Sequence, residues 1–212
     1  MRNRYLVLAT MSLVAICLLA TLARSADESQ TAAAPPADKK QPTPEEMMAI
    51  WMKYGTPGKE HEIFKSMEGK FDADVTMQMP GSPSPEKSTG TSTNKLIYDG
   101  RYLHGDYSGT MMGKPFKGSG LWAYDKLKQK YMSLWIDDMS TMVMIAEGAA
   151  DSSGKVITVK AKCMDPVKGK EINTRQVMTV VDDDHHTYEM YQSDDDGSNE
   201  TKSMTIKYTR AK

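Results

Sequence analysis

The sequence predicts an all-β domain: an antiparallel up-and-down β-barrel of about ten strands, preceded by one or two short N-terminal helices. Three observations predict it. First, Phe71, Ala73, Val75, Met77 and Met79 alternate with Asp72, Asp74, Thr76 and Gln78, the period of a half-buried strand. Second, turn signals recur at short intervals, among them Asp99-Gly100, Met112-Gly113 and Asp125-Lys126, and Asp-Gly between extended runs is a strong hairpin signal. Third, no helical periodicity interrupts the series. A meander that long tends to close on itself and so remove its edges. An open sandwich is the alternative.

Residues 1–25 read as a signal peptide. Arg2 and Arg4 precede an apolar, uncharged run over residues 5–22, and Ala23-Arg24-Ser25 offers small residues at the minus-three and minus-one positions of a cleavage site. The run is close to the ~20 residues that span a bilayer, so a retained membrane anchor is the alternative. Cys17 follows Ile16, where a lipid-anchoring signal takes a small residue. Residues 26–42 are rich in Ala, Pro and charge and read as a flexible linker. Residues 43–212 are then a single barrel domain with its helices. The expected location is exported, in the periplasm or the medium.

Thr43-Pro44-Glu45-Glu46 combines a capping box with proline at the first helical position. Met47, Met48, Trp51 and Tyr54 follow at helical spacing before Gly55. A second short helix is expected over residues 59–68, with Ile63, Phe64 and Met67 on one side. After the first strand, extended runs fall at 88–98, 101–111, 115–124, 129–137, 140–148, 156–164, 171–181, 186–192 and 201–210. In the last run Met204, Ile206 and Tyr208 point inward and Thr205, Lys207 and Thr209 outward. The run 140–148 differs, because Thr141, Val143 and Ile145 on one face and Met142, Met144 and Ala146 on the other leave it apolar on both sides. Its outer side needs a cover, expected from the first helix or, failing that, from a partner chain.

Charge and motif content exclude several function classes. Without residues 1–25 the chain keeps 24 basic and 28 acidic side chains, since that segment holds Arg2, Arg4 and Arg24 and no acid. No basic run is present to mark a nucleic-acid footprint. Cys163 would be the one remaining cysteine, so no internal disulfide can form. Stable membrane insertion is not expected once the signal is cleaved. The sequence holds no Gly-x-Ser-x-Gly elbow, Gly-rich phosphate loop, His-Glu-x-x-His helix or paired Cys/His signature.

The strings HEIFKSMEGKF, DGRYLHGDYSGTMMGKPFKGSGLWAYDKLKQKYMSLWIDDMST and KSMTIKYTR resemble the bacterial exported family of unknown function DUF 1579, over residues 61–210. The resemblance implies a lipocalin-like (calycin-like) barrel and no established activity. Calycins open their first strand with Gly-x-Trp and pack a basic residue of the last strand over that tryptophan. Here Gly69-Lys70-Phe71 stands at the opening and Arg210 at the close, which implies a cation–aromatic latch between Arg210 and Phe71, with phenylalanine in place of tryptophan. Some calycin-like barrels hold haem through one histidine, and His104 is the corresponding candidate here, in the polar company of Tyr102 and Asp106.

The adjacent pair Asp137-Asp138 raises the question of catalysis. Neighbouring strand residues point to opposite faces, whereas paired catalytic carboxylates must converge, so a turn between two strands is the reading. Asp137 shares a face with Tyr131, Ser133 and Trp135 and can sit at a cavity mouth. His185-His186 after Asp182–Asp184 reads as an acidic, solvated hairpin, and residues 194–200 as a hairpin rather than a calcium loop. The 18 methionines include Met77-x-Met79 and Met142-x-Met144, spaced for a Cu(I) site, although methionine also fills cores. No cofactor is required by these patterns; haem and Cu(I) are the two that they could accommodate. The function expected is binding of a small apolar molecule in or at the mouth of the barrel. Tyr107, Trp122, Tyr124, Trp135 and Asp137 would line the site, with His104 and Arg175 as polar contacts. The alternatives are an interaction module using the outer face of 140–148, and a hydrolase-like site of His104, Asp137 and Arg175.

Overall fold

The computed structural model describes residues 41–79 and 81–212. The expected signal peptide and all but the last two residues of the expected linker lie outside the described residues. Ten strands follow two helices: β1 (Gly69–Met77), β2 (Glu86–Ile97), β3 (Tyr102–Met111), β4 (Lys114–Asp125), β5 (Lys130–Asp137), β6 (Met144–Ala150), β7 (Val156–Asp165), β8 (Lys170–Val180), β9 (His185–Ser193) and β10 (Thr201–Arg210). Every strand pairs antiparallel with its sequence neighbours, and β1 pairs with β10, so the meander closes into a barrel. Closure leaves no unpaired edge. The alternation that marks each strand sorts residues between wall and core: on β8, Ile172, Thr174, Gln176, Met178 and Val180 are all buried and every intervening residue is less so.

Up-and-down topology puts alternate turns at opposite ends. One end is closed by a 3-10 turn at Lys59–His61 and by helix α2 (Ile63–Ser66), a break in what the sequence suggests as one helix over 59–68. His61, Phe64 and Met67 are buried there. The Tyr131 hydroxyl donates to the Glu60 carbonyl at 2.8 Å, and burial pushes its pKa up to about 12. The His61 Nδ1 accepts from the Gly58 amide at 3.1 Å, its ring meets Phe64 and Tyr124 edge-on, and burial holds its pKa below the usual histidine value.

The implied latch is present at this end. The Arg210 guanidinium lies 4.6 Å from the centre of the Phe71 ring and donates to the carbonyls of Ser66 at 2.9 Å and Glu68 at 2.8 Å. It therefore ties the last strand to the end of α2 with charge-assisted bonds. Gly69 makes room: its φ is +127°, and a Cβ there would lie 2.5 Å from the Arg210 Nη1. Phe71 is fully buried and also meets the His186 ring at 4.5 Å.

Helix α1 (Pro44–Gly55) has the expected capping box, with the Glu46 amide donating to Thr43 Oγ1 and the Thr43 amide to Glu46 Oε2. Its expected role as cover for 140–148 is not what the structure shows. No residue of α1 is buried, Trp51 is 74% exposed, and Val143 and Ile145 on the barrel are 55% and 56% exposed. The helix is held by its C-terminal carbonyls instead. Lys126 Nζ donates to the Lys53 and Thr56 carbonyls, and Arg101 Nε to the Gly55 carbonyl at 2.8 Å, where the helix dipole favours cations. The run 140–148 is also shorter as a strand than expected, because β6 begins at Met144 and residues 138–143 form a loop.

Candidate functional site

The end opposite the lid is open, and the lumen behind it holds a cavity of about 290 Å³. Leu103, Trp122 and Met67 lie on its wall toward the lid, Tyr107 lines its middle, and Phe116 and Trp135 stand nearer the mouth. Trp135 is seated by glycine. A Cβ on Gly118 would lie 2.1 Å from the Trp135 ring, so a bare backbone lets the indole lie flat against β4. The ring stacks on Phe116 at 6.5 Å.

Asp137 answers the question raised by the acid pair. Its Oδ2 accepts from the Trp135 indole at 3.1 Å, and its Oδ1 accepts from the amides of Met139 and Ser140 at 3.0 Å. Asp138 points to the other side and exchanges two hydrogen bonds with the backbone of Lys117. The pair is a corner. Asp137 nevertheless lines the cavity mouth and fixes the tilt of the indole beside it.

Four of the expected site residues, Tyr107, Trp122, Trp135 and Asp137, lie on the cavity wall. Tyr124 has the right facing but the wrong height. It sits at the closed end, 4.8 Å from the Tyr131 ring and 5.8 Å from His61, as part of the lid's packing. His104 and Arg175 face outward. His104 is three positions before the inward Tyr107, and an odd separation puts two strand residues on opposite faces. Its Nε2 meets Ser119 Oγ at 2.9 Å, and that hydroxyl donates to Asp106 at 2.8 Å. The imidazole thus shares the one serine hydroxyl with a competing carboxylate acceptor, unlike the dedicated base of an activated nucleophile. Arg175 is pinned to Glu200 by two hydrogen bonds and lies 3.8 Å from the centre of the Tyr191 ring. Strands β3 and β8 are five steps apart in either direction around the barrel, so His104, Asp137 and Arg175 cannot converge. An outward His104 also cannot hold haem in the lumen.

Several lining residues were not among the candidates. His186 is buried on the inner face of β9, stacked on Tyr208 at 4.4 Å, rather than solvated in a hairpin. Burial, with the Arg210 cation adding to it, holds its pKa down to about 4, so the ring is neutral. Burial likewise raises the pKa values of Tyr188 and Tyr208. Gln176 accepts from Ser133 Oγ at 3.1 Å and donates to the Met144 sulfur at 3.4 Å. Among the described residues the cavity wall carries no lysine or arginine and one carboxylate, Asp137. Alternation along β8 and β9, with Gln176 and His186 in phase with Met178, Tyr188 and Met190, was the signal for these residues. Among the described residues no three His, Cys, Asp or Glu side chains converge on a common point.

Comparison with solved structures shows the fold. The crystal structure of Rv2717c from M. tuberculosis is similar with a TM-score of 0.53 at 11% identity, over 74% of this chain and 100% of that one. Two further barrels are similar at scores too low to carry an argument. They are a redesigned β-barrel (TM-score 0.38, 13% identity, 71% and 96% covered) and EF1p2_mFAP2b bound to DFHBI (TM-score 0.39, 13% identity, 72% and 100% covered). No curated protein matches the chain. The model of the family described as "Protein of unknown function (DUF1579)" matches residues 56–210, most of the barrel and its lid, and the chain belongs to that family.

Proposed function

We propose that this protein binds a small, largely apolar molecule in the lumen of its barrel. The observation that carries the reading is the cavity itself: about 290 Å³, lidded at one end and open at the other, lined by aromatic rings and thioethers with few polar groups. Its volume lies at the lower edge of the ~300–1,000 Å³ of ligand pockets. Trp122, Trp135 and Tyr107 supply apolar wall, and the neutral His186, Gln176 and Ser133 supply hydrogen-bonding groups without charge. The cargo is therefore uncharged, or carries its charge at the mouth near Asp137. The test is native mass spectrometry of the protein purified from its own cells and from the surrounding medium. A reproducible bound mass that leaves on denaturation is the expected result, and a bare chain from every fraction would overturn the reading.

We also propose that it acts after export, on the strength of residues 1–25. The mature N-terminus checks this: cleavage near Ser25 is expected, and an intact Met1 in the working protein counts against it. A second functional reading rests on the outer wall, where Val143 and Ile145 are exposed beside Ile136. Under that reading the face meets another chain. Light scattering of Val143→Ser/Ile145→Ser decides it, since an oligomer lost by the variant supports the contact and a wild-type monomer removes it.

A further inference from the structure

Among the described residues, eight methionines line the cavity, and three of them stand in one row. Met77 on β1 is directly opposite Met204 on β10, and Met204 is directly opposite Met190 on β9. Directly opposed residues hold their Cβ atoms about 4.5–5.5 Å apart. Three flexible thioether arms rooted that closely, and all facing the lumen, can bring their sulfurs to one point.

The chain also keeps competing charge away from this row. By simple alternation from Met204, Lys202 would face the lumen. The register shifts between Lys202 and Met204, a β-bulge at Ser203 that turns Lys202 outward. There its ammonium pairs with the Glu189 carboxylate and sits 5.3 Å from the centre of the Tyr191 ring. A mouth cleared of cations, with the Asp137 carboxylate on its wall, favours a cation.

We propose that Met77, Met190 and Met204 form a thioether site for a soft monovalent cation, Cu(I). Thioethers prefer this ion. A divalent ion would leave water for a site with no anionic sulfur or imidazole among its ligands, a desolvation cost that neutral donors do not recover. Thioethers also carry no proton to lose, so binding does not require a ligand to titrate, as thiol and imidazole sites do. Cys163 lies on the same cavity wall, but burial, followed by Asp165 and Glu171, raises its pKa. Cu(I) can still displace that proton, so the test removes the thiol.

The test titrates the purified full chain carrying Cys163→Ser with Cu(I), kept reduced by ascorbate, against the chelator bicinchoninate. One equivalent of Cu(I) withheld from the chelator is expected, with sulfur as the dominant neighbour in X-ray absorption. Met204→Leu, the centre of the row, is expected to lose affinity on the order of ten-fold or more with an unchanged circular dichroism spectrum. If that variant does not fold, Met77→Leu and Met190→Leu carry the same expectation. Met164→Leu, on the outer wall and 54% exposed, should bind as the parent does. Surrender of all Cu(I) by the Cys163→Ser chain overturns the site, as does wild-type affinity in the triple leucine variant.

Discussion

At the closed end of the barrel, His61, Phe64 and Met67 are buried under a lid that Arg210 ties down at the carbonyls of Ser66 and Glu68. At the open end, Met77, Met190 and Met204 line the cavity. The closed end is made of buried rings and charge-assisted bonds, and the open end adds unbranched, adaptable methionines to the rings of Phe116 and Trp135. The difference separates two jobs that a single strand has to share. On β10, Arg210 ties down the lid while Met204, six residues earlier, belongs to the mouth. Stability and binding should therefore respond to substitutions at opposite ends of the same strands.

The largest effect expected is at the closed end. Phe71→Ala removes a fully buried ring that packs under Arg210 and against His186, and should cost about 3–5 kcal/mol in urea denaturation. A mouth position giving a loss of that size would break the contrast. Next is the pH dependence of His186, whose native pKa is about 4 against an ordinary 6.5. Above pH 6.5 the ring is neutral in both states and its contribution is fully present. As pH falls from 6.5 toward 4, the unfolded chain takes up a proton that the native one refuses, so stability drops and then levels, by about 3 kcal/mol in all. His61 adds a loss of the same sign. Denaturation curves from pH 7.5 to 4 check this, and His186→Phe should flatten the slope.

Gly118→Ala should cost about 1–3 kcal/mol and shift the fluorescence of Trp135, because the added methyl occupies the plane of the indole. At the mouth, Met111→Leu keeps the volume and should change stability by under about 1.5 kcal/mol, while altering the affinity for any apolar probe. A Met111→Leu variant with lost stability and intact binding would reverse the roles assigned to the two ends.

Much of this was legible before the structure. Alternation and turn residues located all ten strands, and the inward facing of Met204, Ile206 and Tyr208 followed from period two alone. The Arg210–Phe71 latch came through resemblance to calycins. What was not legible depends on parity and on height within the barrel. His104 and Tyr107 were grouped although an odd spacing separates their faces. Tyr124 has the correct facing, but height becomes visible only when the lid is in place above it. Nor could amphipathic spacing in Met47, Met48 and Trp51 say what α1 packs against. Two cations at its last carbonyls position it, and a lysine and an arginine in distant turns leave no periodic signature.

The claim that the lumen is the working site is tested most directly by equilibrium binding of a neutral fluorescent probe, Nile red. The wild-type chain would be compared with Trp135→Ala, checked for folding by circular dichroism, and with the outer-wall variant Val143→Ser/Ile145→Ser. The expected result is saturable one-to-one binding, weakened by Trp135→Ala and untouched by the outer-wall pair. Binding that survives Trp135→Ala and disappears with the outer-wall pair would contradict the account and move the site to the outer face of β6.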